Sequence, residues 1–377
     1  MKLIQDVGFW DYTAPQHGSL EAYTEADWDE LLDDLAQDGV NSLVICVKWI
    51  TTGYRSALPW LDQDPICTAI STDNRTLHYG FREARKRGFK IWLLIVATQF
   101  PVEKFGLEPV WAPEWMLDVF GGLIGYYDAD HPGLRERIHE MVAEITELFG
   151  QYVDGVIAEL EFCDRAEPHR VEGYNRWAVQ NNRPDYETVS QVPLQPRCYP
   201  FTHWRDYATH RRITLLREIE ETLRENGFTG EYATIAEFEN SPGCVMYGNN
   251  MAMLREEMPH MKLITYDSLY NRNLNRQSTV EMCMRQPREM GFEVNFLSRG
   301  VMPLFEHPDT FGPLEAQWQM TIDDAKDALP HGLYFMGCDA RTKGMVCDSE
   351  KLKPFGFETG RQARKKLMNM LKNAGLI

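Results

Sequence analysis

The feature that most constrains this chain is a repeating cycle: a short apolar run, a polar residue at its end, an amphipathic helical stripe, then glycine. LIQDVGFW (residues 3–10) is a strand followed by Asp11. Thr24 is a helix N-cap with Asp27 three residues on, Trp28, Leu31, Leu32 and Leu35 form one apolar face, and Gly39 closes the helix. SLVICV (42–47) then runs into Lys48 and Trp49. A helix with Leu77, Phe81 and Ala84 ends at Gly88, and KIWLLIV (90–96) leads to Gln99. The cleanest stripe, Leu134, Ile138, Met141, Ile145 and Leu148, precedes a fourth strand within Tyr152–Arg165.

The cycle continues with EYATIA (231–236) before Glu237 and Glu239, and MKLIT (261–265) before Tyr266 and Asp267. For the seventh strand, Val301–Phe305 ending at Glu306 is preferred over Phe292–Leu297 ending at Arg299, because a helix follows it directly. LYFM (333–336), ending in Asp339, is the eighth, and a helix from Arg361 to Leu371 closes the chain.

Strand-then-helix cycles predict a parallel sheet with right-handed crossovers, and eight of them predict an α/β fold of the (β/α)8 TIM-barrel type. All 377 residues are expected in one catalytic domain, with loop insertions at about 100–130 and 163–202. An open doubly wound sheet is disfavoured because no glycine-rich phosphate loop follows the first strand.

The net charge of −17 argues against nucleic acid and against anionic membrane surfaces. No apolar run approaches membrane-spanning length. The eight cysteines are scattered without a CxxC spacing and are read as reduced thiols, which with the absence of a leader before the first strand predicts a cytoplasmic protein. A small carbohydrate suits what remains, since the 10 tryptophans and 16 tyrosines offer rings on which sugars stack. Oligomeric state is not legible.

In a TIM barrel, sites are built at the C-terminal ends of the strands. The strand-end set is Trp10, Asp11, Lys48, Trp49, Gln99, Glu159, Glu161, Glu237, Glu239, Tyr266, Asp267, Glu306 and Asp339. Several strands run apolar until their last residue and then turn acidic. Glu159 and Glu161, two apart, share one face of the fourth strand, with Cα atoms roughly 7 Å apart. Glu237 on the next strand is within their reach. Crowded carboxylates cannot all ionise, so one is expected to stay protonated beside another that is charged. Glycosidic bond cleavage needs such a pair: one acid protonates the leaving oxygen, and the other attacks or activates water. Glu161, Glu159 and Glu237 are the expected catalytic residues. Trp10, Asp11, Lys48, Trp49, Gln99, Tyr266, Asp267, Glu306 and Asp339 are the expected substrate-binding ones, with Trp10, Trp49 and Tyr266 as sugar platforms. Neither metal nor organic cofactor is called for.

DGVIAELE (154–161) resembles the fourth-strand motif DGxDxDxE of the chitinase family of glycoside hydrolases. That resemblance implies that Glu161 is the general acid and Glu159 stabilises a substrate-derived intermediate. Thr265–Asp267 (TYD) resembles the Tyr-Asp pair on that family's sixth strand. Ile157 stands where the motif has its first Asp, and Glu159 replaces the second. The passage from Lys48 through ARKRGFKIWLLI to DGVIAE is similar in layout to the α-L-fucosidase family, which implies a nucleophile at Glu159. That family uses Asp there and has a His-rich second strand missing here. A third similarity, to retaining barrel glycosidases, implies Glu161 as acid/base and Glu306 as nucleophile. Together these imply a barrel glycoside hydrolase without choosing a family.

Two rival functions fit the same layout. A metal-dependent sugar isomerase needs oxygen ligands with strand-end histidine, and of the ten histidines only His307, beside Glu306, lies near a predicted strand end. A sugar-binding barrel without chemistry would accommodate Ile157 in place of an acid.

Overall fold

A computed structural model of the chain describes residues 3–11, 23–49, 52–61, 73–109, 112, 124–127, 129–160, 168–181, 199–236, 250–267, 277, 280–298, 300, 312–336 and 352–377. Eight parallel strands close into a barrel. They are β1 (Asp6–Asp11), β2 (Ser42–Lys48), β3 (Lys90–Val96), β6 (Gly155–Glu159), β7 (Glu231–Ile235), β8 (Lys262–Tyr266), β9 (Val294–Ser298) and β10 (Gly332–Met336). Each pairs with its sequence neighbour in the barrel, and β1 closes the ring on β10, with Trp10 opposite Met336. A separate antiparallel hairpin, β4 (Gln99–Pro101) and β5 (Ile124–Tyr126), sits in the insertion after β3.

Helices α1 (Glu25–Asp38), α2 (Arg75–Lys86), α3 (Pro132–Phe149), α4 (Pro168–Gln180), α5 (Tyr199–Glu225), α6 (Met251–Glu257), α7 (Leu314–Ala328) and α8 (Gly360–Asn373) accompany the strands. The first is built as its sequence requires. Thr24 Oγ1 accepts the Asp27 N–H at 3.2 Å, and Asp27 Oδ2 accepts the Thr24 N–H at 3.0 Å. Trp28, Leu31, Leu32 and Leu35 are wholly buried against the barrel.

Two expectations need correcting. The seventh strand is Val294–Ser298, paired with β8 and β10, and not Val301–Phe305, which lies outside the described residues. What misled was the helix: α7 begins at Leu314, and the run nearest to it in sequence is not the barrel strand. Glu306 therefore loses its strand-end argument. The second correction concerns the loop insertion expected at about 163–202 after the fourth strand: it carries α4, and α5 begins within it at Tyr199. Tyr174, Trp177, Trp204 and Tyr207 from these two helices pack together as a small satellite core. The cluster around Trp204 and Tyr207 packs its own insertion down.

Side-chain alternation assigns the inner face of each strand. Lys90 and Glu231 meet inside the lower barrel, and a Cβ on Gly155 would lie 2.2 Å from the Trp92 ring. A Cβ on Gly8 would likewise lie 1.9 Å from the Tyr334 ring. The lower interior is thus filled by two large rings, each facing a glycine on the neighbouring strand. Without those glycines the rings could not lie across the barrel.

Below them runs a ring of acidic and basic side chains at the N-terminal ends of the strands. Lys90 Nζ reaches Asp6 at 3.1 Å and Glu231 at 2.8 Å, and Lys262 Nζ reaches Glu231 and Glu293 at 2.7 Å each. His331 Nε2 closes the circle, 3.7 Å from both Glu293 and Asp6. Burial opposes the charge on Lys90, but Glu231 and Asp6 outweigh it and raise the amine above the usual lysine value. Burial pushes Glu231 up, but Lys262 and Lys90 outweigh that and hold the carboxyl below its usual range.

The sign of the linkage follows. Stabilisation through Glu231 is present above its unfolded value, about 4.3, and is lost as pH falls through the lower folded value. Stabilisation through Lys90 is present below about 10.4 and is lost as pH rises through the higher folded value. Lys90→Met is expected to cost about 1–2 kcal/mol in urea unfolding at pH 7, a modest figure because Glu231 is 37% exposed and screened by water. The same titration at pH 4 and pH 11 should show a smaller difference from wild type than at pH 7.

Candidate active site

The inner face of β6 decides what the opening motif presents. Gly155, facing Trp92, fixes the parity, so Gly155, Ile157 and Glu159 alternate inward. Ile157 is wholly buried in the barrel core, which accounts for an apolar residue where the resembling motif has an acid. Glu159 stands one layer higher, at the C-terminal end of the strand, only 6% exposed. Burying a carboxylate is costly unless it is paired or hydrogen-bonded, and the C-terminal end of a barrel strand is where sites are built.

The neighbours of Glu159 hold its backbone tightly. It lies opposite Val96, and its carbonyl accepts the Ala97 N–H at 3.0 Å. On the other side, Thr234 Oγ1 donates to the Ala158 carbonyl at 2.9 Å. Arg212 of α5, 3% exposed, reaches in from the helix layer to Thr234 Oγ1 at 3.1 Å and to the Ile235 carbonyl. Sequence reasoning missed Arg212. Its signal was an Arg-Arg pair immediately before Ile213, Leu216, Ile219 and Leu223, which are buried on α5, a cation on the edge of a core-facing surface.

Tyr266 ends β8 on the inner face, following Lys262 and Ile264, and is 5% exposed. Gln99 is buried, and its Oε1 accepts from Trp49 Nε1 at 2.9 Å, so these two expected mouth residues do meet.

Three expected binding residues are placed differently. Trp10 is wholly buried, edge-on to Tyr334 with ring centres 6.1 Å apart, so it fills the barrel instead of offering a sugar platform. Asp267 is also wholly buried, and its Oδ2 accepts from Thr321 of α7 at 2.5 Å. Thr321 in turn meets Ser298 at 3.0 Å, so Asp267 ties the end of β8 to the helix layer. Lys48 follows a bulge between Cys46 and Lys48 that sets it opposite Ile95, on the outward alternation of β3. It is wholly buried, and burial holds its amine well below the usual lysine value. For Asp267 and Lys48 the cause is alternation, since being last in a strand does not select the inner face; Trp10 does face inward but is packed within the barrel.

Glu161, Glu237, Glu239, Glu306, Asp339 and the Asp11 side chain lie outside the described residues. Among the described residues, no group of three or more His, Cys, Asp or Glu could hold a metal ion, and no helix is long and apolar enough to cross a membrane. Cys46 and Cys283 are buried and form no disulfide, and the other six cysteines fall outside the described residues.

No protein-family model matches the chain, and no curated protein is similar to it in sequence. Its structure is similar to the catalytic domain of a β-amylase from Paenibacillus polymyxa, with a TM-score of 0.60 at 10% identity, covering 99% of both chains. The fold is one that glycoside hydrolases use. The PgaB (BpsB) glycoside hydrolase domain from Bordetella bronchiseptica gives a TM-score of 0.58 at 10% identity, covering 97% of this chain and 99% of that one. An α-L-fucosidase isoenzyme 2 from Paenibacillus thiaminolyticus gives 0.53 at 12% identity, covering 99% of this chain and 49% of that one. At such identities the likeness extends to the closed eight-stranded barrel and selects no family. Neither the chitinase nor the fucosidase resemblance is singled out.

Proposed function

We propose that this protein is a glycoside hydrolase that cleaves a glycosidic bond in a small oligosaccharide or glycoside. The observation that carries the reading is Glu159, a buried carboxylate on the inner face at the C-terminal end of a barrel strand. The pairing register supplies its partners. Ala158 lies opposite Thr234, and Ile235 opposite Ile264. Glu159 shares the inner face with Ile235 and Tyr266 of the next two strands, and Glu161 and Glu237, two residues after Glu159 and Ile235 in sequence, are the acids proposed to work with it.

Acids supplied by neighbouring barrel strands would suit acid/base cleavage. In this reading Glu161 protonates the leaving oxygen. Glu159 or Glu237 attacks the anomeric carbon, activates water or stabilises the intermediate, and Tyr266 orients the reacting groups. Trp49 and Gln99 contribute to the sugar site as a hydrogen-bonded pair. A cytoplasmic location fits a small substrate better than a polymer.

The test is a panel of aryl glycosides assayed with and without EDTA. Hydrolysis unchanged by the chelator is the expected result. Activity that appears only as a metal-dependent sugar isomerisation would replace the reading. Tight sugar binding by calorimetry with no turnover would point instead to a binding barrel.

A further inference from the structure

Lys48 occupies a place where an amine is costly. It is wholly buried, and burial lowers its pKa well below the usual value, with the Cys46 thiol acting in the opposite sense. Among the described residues, its polar contacts are backbone carbonyls and not carboxylates. Nζ donates to the Val96 carbonyl at 2.7 Å and to the Gln99 carbonyl. The amine also lies 3.6 Å from the centre of the Phe100 ring, which is itself stacked on Phe105 at 4.1 Å. A methionine would fill such a site without the desolvation cost. The amine is retained where packing alone does not require it.

Its two acceptors bracket the turn after β3. Between them, the Ala97 N–H donates to the Glu159 carbonyl at 3.0 Å. Beyond them, Gln99 receives Trp49 Nε1 at 2.9 Å and opens the hairpin, pairing with Tyr126. We propose that Lys48 is a positioning residue for the mouth of the barrel, its amine gathering the Val96 and Gln99 carbonyls so that the turn presents Glu159 and the Trp49–Gln99 pair in register. The activity readout rests on the glycoside hydrolase reading; the structural readout does not.

The test compares wild type, Lys48→Met and Lys48→Gln as full-length protein. In Lys48→Met, kcat should fall by about 10²-fold with KM near wild type, the cost of misplacing a catalytic group by around an ångström. The Ala97 amide should exchange with deuterium roughly ten-fold faster, since the turn opens more readily. Thermal stability should not fall in parallel. A lysine with a lowered folded pKa makes stability increase with pH up to about 10.4, and the Met variant should lose that increase. Lys48→Gln keeps a neutral N–H donor and should recover part of the Ala97 protection.

Wild-type kcat and wild-type exchange at Ala97 in Lys48→Met would overturn the proposal. So would a parallel fall in melting temperature, kcat and protection throughout the barrel, which would make Lys48 a structural residue. If wild type cleaves no glycoside, the functional reading fails, and exchange at Ala97 still decides whether Lys48 holds the turn.

Discussion

Glu161→Gln should lower kcat on a cleaved glycoside by roughly 10²–10⁴-fold while the protein still folds, the range for loss of a general acid. Glutamine keeps the size and hydrogen-bonding capacity of the side chain but has no acidic proton to give the leaving oxygen. The loss should therefore depend on the leaving group. A dinitrophenyl glycoside departs without protonation and should be spared most of it, whereas an alkyl glycoside should show all of it. Near-normal turnover across both substrates would remove Glu161 from the acid role and shift attention to Glu237.

Glu159→Ala is expected to cost a similar or larger factor, with a different signature. Glu159 is buried at the barrel mouth, so replacement by alanine leaves a space at the end of β6. If Glu159 is the nucleophile, all leaving groups suffer alike, and azide entering that space should restore turnover as a glycosyl azide. If it is a base for water, azide should again restore turnover with the same inverted glycosyl azide, and the wild-type product separates the two roles: retained for a nucleophile, inverted for a base. Unchanged turnover would leave Glu159 a structural acid.

The barrel was legible because its information is local and repeated. Thr24, the Trp28–Leu35 stripe and Gly39 each favour the same helix for separate physical reasons, and eight such cycles admit few topologies. The site was less legible because the inner face of a strand is a tertiary fact. Gly155 facing Trp92 assigns Glu159 inward, and nothing within the strand says so. Asp267, at an equally acidic strand end, serves Thr321 in the helix layer instead. The bulge in β2 turned Lys48 outward, and a bulge leaves no sequence signature in an all-apolar run. The seventh strand was misassigned because closeness in sequence to the following helix does not mark a strand; pairing with β8 and β10 does, and pairing is a tertiary fact.

The most direct test of the central claim follows the products of the best glycoside substrate by NMR in water enriched in oxygen-18. The expected result is a free hemiacetal carrying oxygen-18 at its anomeric carbon, formed in one anomer first and at a rate independent of added metal or chelator. An aldose–ketose rearrangement with the glycosidic bond intact, or no reaction on any sugar despite saturable binding, would contradict it.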